Sequence, residues 1–142
     1  MQTLLDVFEV RIAAEPVAAR LAAQHRTEAE LQAIRSATYD LMAALGAAEL
    51  SGELALSFHR AIAMASHNPM FLLTLDLLAA HGEEIVHGFA VAGTDIELEH
   101  FTIVEAISGG EAEVAEAAMR LHLMSARRRA IAIAIAMQSG EG

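Results

Sequence analysis

The sequence predicts an all-α fold, an antiparallel bundle of about six helices, on three observations. Alanine, leucine and isoleucine dominate a composition that is 55% hydrophobic but only 4% aromatic, and two prolines and nine glycines are too few to interrupt it often. Apolar residues recur at helical steps along most of the chain. Capping signals stand ahead of several of those stripes, and the connections between them are short, which makes neighbouring helices antiparallel.

The first helix is expected from about Leu4 to Gln24, with Leu5, Phe8, Ile12, Val17 and Leu21 inward and Asp6, Glu9 and Arg20 off the stripe. Pro16 falls inside it and should remove a hydrogen bond and kink the rod, or mark a break. Thr27-Glu28-Ala29-Glu30 reads as a capping box opening a second helix to about Leu45, with Leu31, Ile34, Leu41 and Leu45 inward and Gly46 as its stop. Ser51 caps a third helix that carries His59 and ends near His67. Asn68-Pro69 pairs a cap with the one helix position that welcomes proline, and a fourth helix should run from Pro69 to about Ala90 before Gly93. A second capping box, Thr94-Asp95-Ile96-Glu97, opens a fifth helix through His100 to Gly109-Gly110. The sixth starts at Glu111 and carries His122. Its end, Ala130 to Ala136, alternates isoleucine and alanine as a strand would, but alanine favours helix and the sequence offers no partner strand, so helix is expected there too.

At 142 residues the chain is expected to form one domain with a core large enough to fold without staples. Its formal charge is −10 and all nine basic residues are arginines, so its surface repels phosphate backbones. Without cysteine it has no disulfide, no thiolate ligand and no Cys nucleophile. Met1 to Asp6 reaches an acid too soon for a signal peptide, and no uncharged apolar run attains the ~18 residues of a membrane span. A soluble, cytoplasmic protein is the expectation.

The residues that carry chemistry are His59, His100 and His122, one on each of three helices. Leu56, Ile62 and Ala63 share the face of His59; Ile103 and Val104 share that of His100; Ala118, Met119 and Ala126 share that of His122. If those faces meet in one core, three neutral imidazoles converge as a metal site; otherwise each is a core histidine satisfied by a carbonyl or an acid. Arg11 precedes Glu15 by one turn, which is either a surface ion pair or, given apolar Val7, Phe8 and Ile12 around it, a guanidinium in a cleft able to grip a carboxylate. His67 sits near a helix C-terminus, Asn68 is an N-cap with a cavity-facing role as the lesser option, and His25, His81 and His87 read as surface or boundary residues. Arg127-Arg128-Arg129 fans round a helix, as a solvated face or as intersubunit ion pairs.

A resemblance joins these points. Phe8-Glu9-Val10-Arg11, Glu15-Pro16-Val17-Ala18-Ala19-Arg20-Leu21-Ala22-Ala23, Phe58-His59-Arg60-Ala61-Ile62, Ala65-Ser66-His67-Asn68-Pro69, Glu99-His100 with Glu105-Ala106-Ile107, and Ala118-Met119-Arg120-Leu121-His122-Leu123 occur in the order and spacing of the FCD domain. The chain resembles that domain, the C-terminal effector-binding part of FadR-type GntR transcription regulators, over residues 1–142. The resemblance implies an all-helical, usually dimeric domain that binds a divalent metal and senses a small organic acid, and that meets DNA only through a separate or missing winged-helix domain. It assigns His59, His100 and His122 as metal ligands and Arg11 and Asn68 to the effector, with no catalytic residue. The aspartate that completes the family's ligand set, four residues before the first histidine, is Ala55 here. Glu97, one turn before His100, is the nearest substitute, and three nitrogens with an open position suit zinc or nickel. Two other readings stand beside the sensor: a hydrolase-like enzyme with a three-histidine zinc centre and Glu97 as base, and a dimerisation module that has lost its effector.

Overall fold

Every helix whose start is described opens at a residue suited to it, apart from α1 and the last. In the computed structural model residues 1–81 and 94–140 are described. They form α1 (Gln2–His25), α2 (Glu28–Gly46), α3 (Gly52–Ala65), α4 (Pro69–Leu78), a turn of 3-10 helix (Ala79–His81), α5 (Thr94–Ser108) and α6 (Ala112–Ser139). No strand occurs among the described residues, and the fold is an all-α bundle. The Thr27 hydroxyl accepts from Glu30 N–H at 3.1 Å while the Glu30 carboxylate accepts from Thr27 N–H at 2.7 Å, closing the expected capping box. Ser51 caps α3 through Leu54 N–H, and Asn68 caps α4 through Met70 N–H with Pro69 at the first turn. The Ile/Ala run is helical, as alanine propensity requires. The expected end of the fourth helix at Ala90, Gly93, His87 and the Thr94 side chain of the second capping box lie outside the described residues.

Three features show detail beyond the expectation, each with a local reason. Pro16 neither breaks nor ends α1. The carbonyl its missing N–H leaves open is that of Ile12, one turn back, and Arg120 of α6 donates to that oxygen at 3.4 Å. Beyond Gly46 the chain turns at Ala48, whose φ is +57°, where Glu49 N–H reaches Ala44 O and Ala48 N–H reaches Leu45 O. This is the hydrogen-bonded C-terminal turn that glycine usually makes, and Gly110 makes it after α5 with φ +67°. Finally, α4 tightens into 3-10 geometry after Leu78.

The arrangement that positions the site is set by α1. It packs most extensively on α6 and also touches α3, α4 and α5, while α2 lies against α3 and α5. Its buried face holds Phe8 as expected but otherwise runs beside the stripe of Leu5, Ile12, Val17 and Leu21. Leu4, Val7, Phe8, Arg11, Glu15, Ala18, Ala19 and Ala22 are buried, whereas Leu5, Ile12, Val17 and Leu21 are half-buried. The alanines of that face let α6 approach closely, and the burial of Arg11 and Glu15 follows from where they stand on it. Leu56, Phe58 and Ile62 of α3, Ile103 and Ile107 of α5, and Met119 and Leu123 of α6 complete the main core. Arg26 anchors the end of α5 by donating to Ser108 O at 2.7 Å, where the carbonyls of a helix C-terminus favour a cation.

The capping box gives a direct check. Thr27→Ala removes the side-chain acceptor of α2 and should lower stability by about 1 kcal/mol, read as a shift of the urea midpoint at unchanged slope; an unshifted midpoint would show that α2 is held by packing alone.

Candidate metal centre

His59 of α3, His100 of α5 and His122 of α6 come together at the middle of the bundle, 1%, 0% and 1% exposed. One ring nitrogen of each lies within 4.8 Å of the others, and no other group of three or more His, Cys, Asp or Glu so placed occurs among the described residues. The rings of His59 and His122 are stacked, 5.3 Å between centroids, and that of His100 stands edge-on to His122 at 4.4 Å. Phe58 closes the site from below, its ring 4.7 Å from that of His100.

For two of the rings a partner on Nδ1 fixes which edge turns inward. His100 Nδ1 lies 2.7 Å from Ile96 O, and a carbonyl only accepts, so Nδ1 carries the proton and Nε2 the lone pair. His122 Nδ1 donates to Glu99 Oε2 at 2.8 Å. Glu15 Oε2 lies 2.5 Å from His59 Nδ1, close though without hydrogen-bond alignment. A tetrahedral ion with bonds of about 2.0–2.1 Å holds its nitrogens about 3.4 Å apart, so closure around zinc requires ring movements of under about an ångström. The donors present therefore fit a borderline-soft divalent ion.

Behind the rings stand two carboxylates held by arginines. Arg11 Nε donates to Glu15 Oε1 at 2.5 Å, in a pair 1% and 4% exposed. Arg129 Nη1 and Nη2 donate to the two oxygens of Glu99, each at 3.0 Å. The arginine run is thus not wholly a solvated face: Arg129, its last member, turns inward, while Arg128 bonds Ser125 at the surface.

Electrostatics follow burial. Burial pushes the pKa of His59 down to about 4, with Glu15 opposing and Arg11 reinforcing the shift. It pushes His100 to about 3, aided by His122, and His122 to about 4 against the hydrogen bond to Glu99. For Glu15 burial acts upward, but the charges of Arg11 and His59 outweigh it and hold the group down to about 2. Glu99 is likewise held at about 2, where bonds to His122 and Arg129 overcome its desolvation. At neutral pH the three rings are neutral, as metal ligands must be, and both carboxylates are ionised.

The other assigned residues fall elsewhere. Arg11 is inside, but its guanidinium is engaged by Glu15. The space enclosed against Arg11, Glu15 and His59 is about 10 Å³, room for about one water and for no organic acid. Asn68 is exposed and its Oδ1 serves as the α4 cap, so its place is at the surface. Glu97 is exposed on α5 and stands outside the histidine group. Ala55 is fully buried, as a residue on the His59 face should be. Glu15 and Glu99 are the residues that the sequence reading did not assign to the site. A signal was present for Glu15, which is one helical turn from Arg11; for Glu99, whose neighbour His100 lies on another face of the helix, there was no local signal.

Fold and site together define a class: an all-helical domain with three neutral imidazoles meeting among its central helices. The chain belongs to the FCD domain family, which it matches over residues 6–125, the domain of GntR-family transcription regulators. It is 30% identical over 127 residues to the "Probable D-xylose utilization operon transcriptional repressor" of Paenarthrobacter nicotinovorans, across 84% of this chain and 54% of that protein. It is 32% identical over 130 residues to the "HTH-type transcriptional regulator LutR" of Bacillus subtilis (strain 168), across 83% of this chain and 58% of that one. A solved structure, "Streptococcus agalactiae GntR", superposes with a TM-score of 0.72 at 28% identity, covering 89% of this chain and 59% of that chain. The chain spans little more than half the length of the curated relatives it matches. No helix among the described residues is long and apolar enough to cross a membrane.

Burial of neutral imidazoles makes stability depend on pH. Each ring ordinarily titrates near 6.5 but at about 4, 3 and 4 when folded, so below pH 6.5 the unfolded chain binds protons that the folded chain refuses. The melting temperature of chelator-treated protein should hold steady above about pH 7 and fall on acidification from about pH 6.5 towards 4. Glu15 and Glu99 act in the same sense lower down, their contribution being lost as pH falls from about 4.5 towards 2. A melting temperature unchanged down to about pH 5 would contradict the burial of neutral rings.

Proposed function

We propose that this domain is the ligand-sensing part of a GntR-type transcription regulator, in which His59, His100 and His122 hold a divalent metal and the metal recruits a small carboxylate. The convergence of three buried ring nitrogens within 4.8 Å carries the reading. Zinc or nickel suits an all-nitrogen donor set better than magnesium or calcium, which prefer oxygen. A bound dication supplies Lewis acidity and positive charge toward a carboxylate oxygen. With Ala55 in the place of the family's aspartate, the ligand's own carboxylate completes the coordination. Arg11, its guanidinium engaged by Glu15, grips no further group of that ligand in this arrangement.

The enclosed space beside His59 is too small for an organic acid, whereas a more open pocket of about 330 Å³ beside His122 and Glu99 has room for one. A ligand there acts as a signal only by binding one conformation of the domain better than another. In the whole regulator the domain pairs with a second copy and acts on DNA through a winged-helix reader, in the cytoplasm. An enzyme is disfavoured because Glu97, the acid expected to act as its base, is exposed and outside the histidine group.

Calorimetry with zinc on chelator-stripped protein tests the reading. The wild type should bind one zinc, and His100→Ala should weaken binding by more than about a hundredfold, beyond the 10–100-fold typical of losing an outer partner. Equal binding by both, or none by the wild type, removes the metal. On zinc-loaded protein a panel of small organic acids should then raise the melting temperature, as any ligand selective for the native state must.

A further inference from the structure

Two lines of side chains reach the histidine centre from different helices, and each has the same composition. From α1, Arg11 donates to Glu15, whose Oε2 stands 2.5 Å from His59 Nδ1. Along α5 and α6, Arg129 grips both oxygens of Glu99, and Glu99 Oε2 accepts from His122 Nδ1 at 2.8 Å. Neither carboxylate belongs to the convergent group, which consists of the three histidines. Glu99 accepts from the Nδ1 edge of His122, and Glu15 stands against the Nδ1 edge of His59 in a close ion-pair contact without hydrogen-bond alignment.

We propose that Glu15 and Glu99 are positioning residues of the metal centre: each, fixed by its own arginine, orients one ligand imidazole and polarises it toward the ion. The inference rests on the metal reading above. A carboxylate on Nδ1–H fixes the tautomer, holds the ring plane and makes the far nitrogen a stronger donor. The third ring, His100, has the neutral carbonyl of Ile96 on Nδ1. The arginines keep each carboxylate at its post. Arg11 is itself buried and accepts no other arrangement cheaply, since removing one partner of a buried pair leaves an uncompensated charge. Because each glutamate is matched by an arginine, the rings are polarised without added net charge, and a bound dication keeps its attraction for an anionic ligand.

Cobalt(II) titration of chelator-stripped full chain, followed by calorimetry and by the visible d–d bands, tests this. Glu99→Gln keeps size and a hydrogen-bond acceptor; it should bind cobalt about 10–100-fold more weakly, with shifted bands, while the melting temperature of the metal-free protein changes little. Glu15→Gln should weaken cobalt binding similarly, but with a lowered melting temperature, because it leaves Arg11 buried and unpaired. Should burial of unpaired Arg11 prevent that variant from folding, Glu99→Gln carries the test, since Glu99 is only partly buried. Wild-type affinity and unshifted bands in Glu99→Gln, with binding lost in His100→Ala, overturn the positioning role and leave the metal reading intact. Failure of the wild type to take up cobalt overturns both.

Discussion

Three imidazoles remain side by side in a core only while each is neutral and each has an oxygen at its back. Desolvation enforces the first condition, holding all three below the range in which histidine ordinarily titrates. Glu15, Ile96 O and Glu99 meet the second. Much of the remaining architecture serves these contacts. Helix α1 must present Glu15 to α3, and α6 must lie near enough to α5 for Glu99 to bridge His122 and Arg129. The close α1–α6 packing and the alanine face that permits it are the means.

The burial of Arg11 with Glu15 is costly by itself. A buried ion pair commonly gains little over apolar side chains of the same volume, and loses several kcal/mol when one partner is removed. Hydrophobic packing could have filled that space at less cost, so the pair is better explained by what it adjoins. Glu15 is ionised because Arg11 is there, and an ionised carboxylate is the group that can hold an imidazole N–H in a fixed direction. The Pro16 break in the hydrogen-bond ladder comes directly after Glu15, and α6 answers it through Arg120, so the same two helices are stitched at the same level.

The fold was legible because its signals are local. Capping at Thr27, Ser51 and Asn68 acts within one turn, and alanine-rich composition leaves helix as the only economical backbone. The convergent histidines were legible because each sits among apolar neighbours at helical spacing. The face of α1 was misread, since the large residues Leu5, Ile12, Val17 and Leu21 mark an apolar stripe that is only half-buried. Hydrophobic periodicity weighs size and polarity, whereas close helix packing selects small residues, and alanine contributes little to a stripe. Glu97 and Glu99 differ by two positions and so point to different sides of α5; no local signal distinguishes which one α6 meets. That depends on Arg129, thirty residues further along, and pairings across such distances are tertiary facts.

Ala55 sharpens the physical question the site poses. A carboxylate at that position would sit on the His59 face, bring a permanent charge into the core and satisfy part of a dication before any ligand arrived. Alanine leaves the core without that charge, which suits the neutral rings of the metal-free state and leaves more of a dication's field for an incoming anion. The same substitution removes a competitor for the coordination position the anion would use. On the sensor reading, affinity for the metal falls while the metal's dependence on the effector rises, so that ion and acid bind cooperatively rather than in sequence. On the same reading, any coupling between ion and acid equals the difference in each one's affinity with the other bound, and it acts equally in both directions.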